Sequence, residues 1–333
     1  MVPDQLAHAS VVEGQAVVGS REGVEGATRL DLTVVVLTFN EARHIERAIA
    51  SVLPIAGQVV VIDSFSTDDT VARAESMGAR VLQHRFINHA HQFQWGIDHA
   101  GITTGWIMRL DADEVIEPDL ATAISCALPD MPADVAGINL DRKHIFMGRW
   151  IRHGGRYPVR LVRLFRRGQG RIEQRWMDEH IVVWGGRTIT LTGGFQDDNL
   201  NDLTYFTAKH NGYATREAIE VLSQRHGLFC RDEAFSMEAV SKQAGIKRLV
   251  KERVYNRLPF WVGPLAYFIY RYVIRLGFLD GREGMIYHVL QGGWYRFLVG
   301  AKVMEFERAL AGCRSNEERL ARLAQLTELR FDA

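Results

Sequence analysis

"GWIMRLDADEVIEPDL", residues 105–120, is the stretch on which the fold turns. An apolar run, broken only by Arg109, leads from Trp106 to Leu110 and delivers three acids, Asp111, Asp113 and Glu114, within four positions. Such a run suits a strand buried on both faces of a parallel sheet. Three carboxylates this close repel one another, so their place at a strand end asks for a cation or a chemical task. The bland alternative is a helix start, since acids favour the positive end of a helix dipole.

The same rhythm recurs upstream. "LTVVVLTFN" (32–40) predicts a first strand, and helical spacing follows through Ile45, Ala48, Ile49 and Val52 within 41–55. "GQVVVIDSFSTDD" (57–69) predicts a second strand ending on Asp63. A helix over 70–78 closed by Gly78, a strand over 79–86, a helix over 91–101 and the strand at 105–114 complete a β-α-β-α-β-α-β series. That series calls for right-handed crossovers and a doubly wound, mostly parallel sheet of the α/β class. A ligand belongs at the carboxyl ends of the strands, where the strand order reverses. Asn40, Asp63, Asp111 and Asp113 all fall at such ends.

After Pro129 the pattern becomes short strands, "AGINLDRKHIF", "VRLVRLF" and "RTITLTG", set apart by glycine pairs at 154–155, 185–186 and 193–194. The chain therefore divides into three parts. Residues 1–30 form a polar, Gly-rich leader without the apolar core of a signal peptide. Residues 31–200 form one domain, with the strand series in 31–118 and a mixed β region in 136–195. Residues 201–333 form a helical extension.

Lys+Arg and Asp+Glu both total 40, so no global charge points to nucleic acid. Locally the balance is uneven: Arg142 to Arg175 holds eleven bases and one acid, and Asp98 to Asp141 holds nine acids and one base. That split suits an anionic partner held between a metal site and basic groups. Cys126, Cys230 and Cys313 show neither zinc spacing nor a disulfide framework, which fits a reducing cytoplasm. No G-x-G-x-x-G follows the first strand and no P-loop motif is present, which argues against a dinucleotide dehydrogenase and a P-loop NTPase. A hard divalent cation, Mg²⁺ or Mn²⁺, takes one or two carboxylates and completes its shell with diphosphate oxygens. Asp111-Ala112-Asp113 can supply those carboxylates. Asp63 is placed to accept hydrogen bonds from a ribose or a base, while Ser64, Ser66 and Thr67 allow a tight turn and Asp68 caps the next helix.

"LTVVVLTFNE", "VVVIDSFSTDDT" and "WIMRLDADEVI" together resemble the nucleotide-binding segments of family 2 glycosyltransferases, and most closely the lipopolysaccharide core and exopolysaccharide branch. The resemblance implies a GT-A fold, a nucleotide-diphospho-sugar donor (a UDP-sugar in first place), Mg²⁺ or Mn²⁺, and inversion at the anomeric carbon. It makes 31–118 the nucleotide-sugar half and 136–195 the acceptor half. It implies that Thr38, Asn40 and Glu41 line the nucleotide pocket and that Asp63 holds uracil or ribose. Asp111 and Asp113 meet ribose and metal, Asp113 more directly. Ser64, Gln92, Arg109 and Ala112 join that pocket, Arg109 as a counter-charge.

An inverting displacement needs a general base beyond the metal site. "RWMDEHIVVWGG" (175–186) places Asp178-Glu179-His180 between apolar residues, so Asp178 or Glu179 is the base, with Asp178 slightly favoured, and His180 orients it or meets phosphate. Strand alternation puts Arg160 and Arg163 on accessible positions, and the likeness of "GGRYPVRLVRLF" to the family implies pyrophosphate or acceptor contacts for both. Glu114, Glu117 and Asp119 are assigned to the start of the following helix. A sugar-1-phosphate nucleotidyltransferase would need a Gly-rich basic loop after the first strand, which "TFNEARHIERAI" lacks. A non-catalytic sugar-nucleotide binder would not need Asp178 and Glu179.

The segment 257–281 is apolar and aromatic and follows the basic stretch 242–257, and its thirteen uncharged residues between Arg257 and Arg271 are too few to span a bilayer. It is suited to a membrane surface or to a second subunit. With the family resemblance, this implies a saccharide or lipid-linked saccharide acceptor and a peripheral place on the inner face of the cytoplasmic membrane.

Overall fold

The computed structural model describes residues 29–173, 180–228 and 260–329. Four strands, β1 (Leu32–Thr38), β2 (Gln58–Asp63), β3 (Arg80–Gln83) and β4 (Trp106–Asp111), run parallel in the order β3-β2-β1-β4. The order reverses between β1 and β4, so a crevice opens beside the carboxyl ends of both. The remaining strands are β5 (Glu114–Ile116), β6 (Val135–Phe146), β7 (Arg149–Trp150), β8 (Val159–Arg166), β9 (Gly170–Ile172), β10 (Ile181–Val183) and β11 (Arg187–Asp198). The main sheet continues β4-β8-β6-β11-β5. β8 is antiparallel to both neighbours, β11 runs parallel to β6, and β5 closes the edge antiparallel to β11. β9 and β10 form a separate two-stranded hairpin. The α/β class and the mixed second half are as the sequence predicts.

The pleat divides the core. Val34, Val36, Val59, Val61, Met108 and Leu110 face α1 (Ile45–Val52), α2 (Thr70–Ser76) and α4 (Pro118–Ala127). Val35, Val60, Ile62, Ile107 and Phe165 face α3 (His89–His99) and the β9–β10 hairpin. α1 buries Ile45, Ala48, Ile49 and Val52, the four positions its spacing marks. Each of its Ile and Val side chains contributes roughly 1.5–3 kcal/mol of burial. α3 comes close to β2 only because residue 96 is glycine: a Cβ there would stand 2.6 Å from Ile62 Cγ1.

The acids after β4 depart from expectation. Glu114 opens strand β5 rather than a helix, because it pairs with β11 through Asp197. The helix begins three residues later, with Glu117 as N-cap and Pro118 in its first turn. Glu117 holds the Lys143 ammonium and accepts from Gln196 Nε2 at 2.9 Å.

Asp202 caps the 24-residue α5 (Leu203–His226), its carboxylate accepting from Tyr205 N at 2.8 Å. α6 (Val262–Ile269) runs into a π-helical turn, Tyr270–Ile274, and a 3₁₀ turn, Gly277–Asp280. α7 (Gly281–Tyr287) passes through a second π segment, His288–Trp294, into α8 (Tyr295–Leu310), and α9 (Asn316–Thr327) follows. α5, α8 and α9 share a core of Ala218, Leu222, Val303, Phe306 and Leu323. The basic stretch 242–257 lies outside the described residues.

The extension is bolted to the sheet domain at the loop after β7. Gly154 N donates to Arg275 O at 2.9 Å and Arg271 Nε donates to Gly154 O at 3.1 Å. His153 N donates to Asp280 Oδ2 at 2.8 Å, and His153 Nδ1 lies 2.6 Å from Asp280 Oδ1. Gly154 has φ +67°, and a Cβ there would meet His288 Cε1 at 2.1 Å. His288 is fully buried. Burial, then Arg271 and Arg156, push its pKa down to about 4 against the pull of Asp280. A histidine held neutral in the fold and freer to protonate when unfolded destabilises at low pH. Stability is therefore expected to fall as pH drops from about 6.5 to about 4, by up to about 3 kcal/mol. Thermal unfolding of wild type and His288→Gln across that range checks this, and the variant should show the shallower decline.

Candidate active site

Each strand end carries a different job. Thr38, the last residue of β1, donates its hydroxyl to Asp63 Oδ1 at 2.9 Å. Asp63, the last of β2, also accepts from Ser66 N (2.9 Å), Ser66 Oγ (2.5 Å) and Gln83 Nε2 (3.1 Å). Those four bonds use the carboxylate's acceptor sites, and Asp63 is fully buried. It therefore holds the turn at 64–67 in place and shapes the pocket wall, where the sequence implied a direct ligand contact. Asn40 adopts φ +55°, which Asn tolerates better than most residues, and its Oδ1 accepts from Thr67 N at 2.8 Å. Gln92 is 1% exposed and spends its amide on Ser64 Oγ (3.1 Å) and His84. It thus supports Ser64 and does not face the nucleotide side itself, because α3 carries it into the core. Asp68 accepts from Thr70 N at 3.0 Å and Ala42 N at 3.2 Å and so ties the loop after β1 to the start of α2, whose N-cap position is held by Asp69.

Asp111 and Asp113 leave β4 in unlike settings. Asp111 is about one-third exposed and accepts from Arg109 Nε at 3.1 Å, with Arg163 Nη2 at 3.5 Å. Burial would raise its pKa, but Arg109 and Arg163 outweigh it and hold the carboxyl well below the usual range. Arg109 is thus the counter-charge its position implied. Asp113 is pushed up, by burial first and then by the charge of Asp197, with Lys209 and a 2.9 Å bond from Asn199 Nδ2 opposing. Ala112 between them is buried.

Arg163 overturns the strand-alternation reading: it is 5% exposed. β8 lies between β4 and β6, and the guanidinium points inward to the Glu114 carboxylate and over the Phe195 ring. Glu114 is pushed well up by burial, with Arg163 opposing, and its Oε2 accepts from Asp111 N at 2.9 Å. Glu114 and Arg163 together hold the backbone of the acid loop. Arg160 is 61% exposed and pairs with Asp141 at 3.2 Å. Asp178 and Glu179 lie outside the described residues. His180 is exposed at the foot of β10, and its carbonyl accepts from Glu173 N.

One part of the site was missed from sequence. The run "DDNLND" (197–202) ends β11 and is knitted into the strand ends. Arg47 donates to Asp198 Oδ2 at 2.7 Å and to Asp113 O at 3.4 Å. Glu41 Oε2 lies 2.5 Å from His44 Nδ1, and His44 Nε2 accepts from Leu200 N at 2.9 Å. Asp197 meets His144 at 3.1 Å and Arg142 at 3.6 Å; burial would raise its pKa, but these partners hold it low. On α5, burial would lower the pKa of Lys209, yet Tyr213, Asp113 and Glu41 are among the groups that raise it. The signal was present as an acid-rich run two residues after the Gly193–Gly194 pair.

This carboxylate set suits a hard cation. Its donors are oxygens, and Asp113 is raised by neighbouring negative charge that a cation would relieve. Among the described residues no three His, Cys, Asp or Glu side chains gather into a closed cage. An ion here would complete its shell with water and diphosphate oxygens, as Mg²⁺ does.

An uncharacterized glycosyltransferase of Rickettsia felis (strain ATCC VR-1525 / URRWXCal2) is 39% identical over 93 residues, 28% of this chain and 32% of the relative. The chain thus spans about a third of the length of the Rickettsia relatives it matches. The lipopolysaccharide core biosynthesis glycosyltransferase LpsC of Rhizobium meliloti (strain 1021) is 26% identical over 199 residues, 57% of this chain and 71% of LpsC. A solved glucosyl-3-phosphoglycerate synthase from Mycobacterium tuberculosis, in complex with Mn²⁺, UDP and glucosyl-3-phosphoglycerate, shares 22% identity over 36% of this chain and 45% of its own, with a TM-score of 0.29. Residues 33–193 match the sequence model of Glycosyl transferase family 2. Over that span the α/β domain of this chain is similar to glycosyl transferase family 2.

Proposed function

We propose that the protein is an inverting glycosyltransferase that moves a sugar from a nucleotide-diphospho-sugar, a UDP-sugar first, to a hydroxyl of a saccharide or lipid-linked saccharide in surface-glycan assembly. The family match and the likeness to LpsC support the reaction class. The observation that carries the reading is the gathering of Thr38, the Asp63-pinned turn, Asp111 and Asp113 where strand order reverses. The turn at 64–67 bounds the base and ribose. Asp111 and Asp113 would hold Mg²⁺ or Mn²⁺, which neutralises charge on the departing diphosphate. Lys209 adds a cation on the α5 side, and Arg160 an exposed one on β8.

In the transfer, the acceptor oxygen forms its bond to C1 as its proton passes to a carboxylate. The C1–oxygen bond to diphosphate breaks, and the electron pair leaves with the nucleotide. Asp178 or Glu179 takes the proton, Asp178 in the favoured assignment. The enzyme would then work at the inner face of the cytoplasmic membrane, where such acceptors are carried.

A thermal-shift screen of nucleotide-sugars with Mn²⁺, followed by turnover of the best binder, tests the reading. Stabilisation by a UDP-sugar with turnover supports it, and stabilisation by no nucleotide-sugar overturns it. The base assignment has its own signature. A base must be deprotonated to act, so activity falls as pH drops through its pKa. Asp178→Asn is expected to lower kcat by roughly 10²–10⁴-fold and remove that acid limb, whereas Glu179→Gln keeps it. Paired pH–rate profiles decide between the two.

A further inference from the structure

We propose that the outward face of α6 and the turns after it form a docking surface for an anionic lipid bilayer. A surface helix normally shows polar residues to solvent. This one does the reverse. Its inward face carries Gly263, Pro264 and Arg271, which are buried against the protein. Its outward face is two adjacent stripes at helical spacing, Leu265-Ile269-Val273 and Ala266-Tyr270-Ile274, and all six residues are exposed. Ile274 is 66% exposed. The apolar exposure continues through Leu276, Phe278 and Leu279, then at Met285 on α7 and at Val289 in the π segment after it. An isolated surface leucine needs no explanation, but a whole helix face without a charged residue marks a partner.

The charges choose the partner. Between Phe260 and Leu279 the sequence holds no Asp or Glu. Arg275 and Arg282 stand exposed beside the apolar face. A second copy of this chain would set those cations against one another, whereas phosphate headgroups pair with them. Trp261, Tyr267 and Tyr270 are exposed amphipathic rings of the kind that sit at headgroup level. Residues 262–274 extend about 20 Å at the rise of an α-helix, short of the ~30 Å hydrocarbon core. Among the described residues no helix is long and apolar enough to cross a membrane. The face therefore lies in the interface plane, with its apolar stripes towards the acyl chains.

Flotation with phosphatidylcholine vesicles and with an equimolar phosphatidylcholine–phosphatidylglycerol mixture tests this without any sugar substrate. The wild-type chain is expected to float with the mixed vesicles, less with phosphatidylcholine alone, and less again at high salt. The triple variant Leu265→Glu, Ile269→Glu, Val273→Glu should lose roughly tenfold or more of that binding, and its response to UDP with Mn²⁺ in thermal shift should be unchanged. Absence of wild-type binding to the mixed vesicles overturns the proposal. So does a wild-type dimer in size exclusion that the triple variant converts to monomer without any change in vesicle binding. Because lipid binding and nucleotide response are read separately, failure here leaves the sugar-transfer reading standing, and the converse holds too.

Discussion

Asp113→Ala is expected to abolish sugar transfer, lowering kcat/KM by on the order of a thousandfold or more, while the protein still folds. Asp113 accepts one side-chain hydrogen bond, from Asn199, and losing it costs about 1 kcal/mol. Against that loss, the substitution removes a carboxylate set among the charges of Asp197 and Asp111. Thermal stability without ligand should therefore change little, while the stabilisation given by UDP with Mn²⁺ disappears. Transfer assays with Mn²⁺ and with chelator, run beside thermal shift, measure both. Full activity of the variant in the presence of chelator would sink the metal-assisted reading.

The second large effect is structural. Glu114→Ala leaves the buried Arg163 guanidinium with only the 3.5 Å contact to Asp111 and leaves Asp111 N without its acceptor. Breaking a buried pair from one side typically costs about 3–5 kcal/mol, because the remaining charge stays uncompensated. Denaturant unfolding should show a loss of that size for Glu114→Ala and a similar one for Arg163→Ala. The double variant Glu114→Leu, Arg163→Met should recover most of the stability, since apolar replacement of both partners avoids the stranded charge. A single variant costing under about 1 kcal/mol would show that the pair does not hold the acid loop. Activity separates the two roles: the recovered double variant lacks the anchor of Asp111 and should remain impaired.

The strand series was legible because β1, β2 and β4 are covered on both faces and read as mainly apolar runs, each ending on polar residues. Position along such a strand fixes which residues reach the crevice. What escaped were contacts between distant segments. Asn199 meets Asp113 across 86 positions, and Arg47 meets Asp198 across 151, so neither pairing leaves a local pattern. Arg163 was misplaced for a related reason. Alternation along "VRLVRLF" tells which residues share a face, but not that β8 lies between β4 and β6 with Glu114 waiting on the inner side. Glu114 itself looked like a helix acid because a three-residue strand is too short to show a period of two. Asp63 and Gln92 were placed at the right strand and helix, yet their bonds turn them towards the frame of the pocket.

The Glu114–Arg163 pair also bears on how this site can change over evolutionary time. Neither position is free to drift alone, because each single replacement passes through a destabilised protein. Descendants should therefore keep both residues or exchange both in step. Aligned relatives would then show the two columns changing together, although 49 positions of chain separate them.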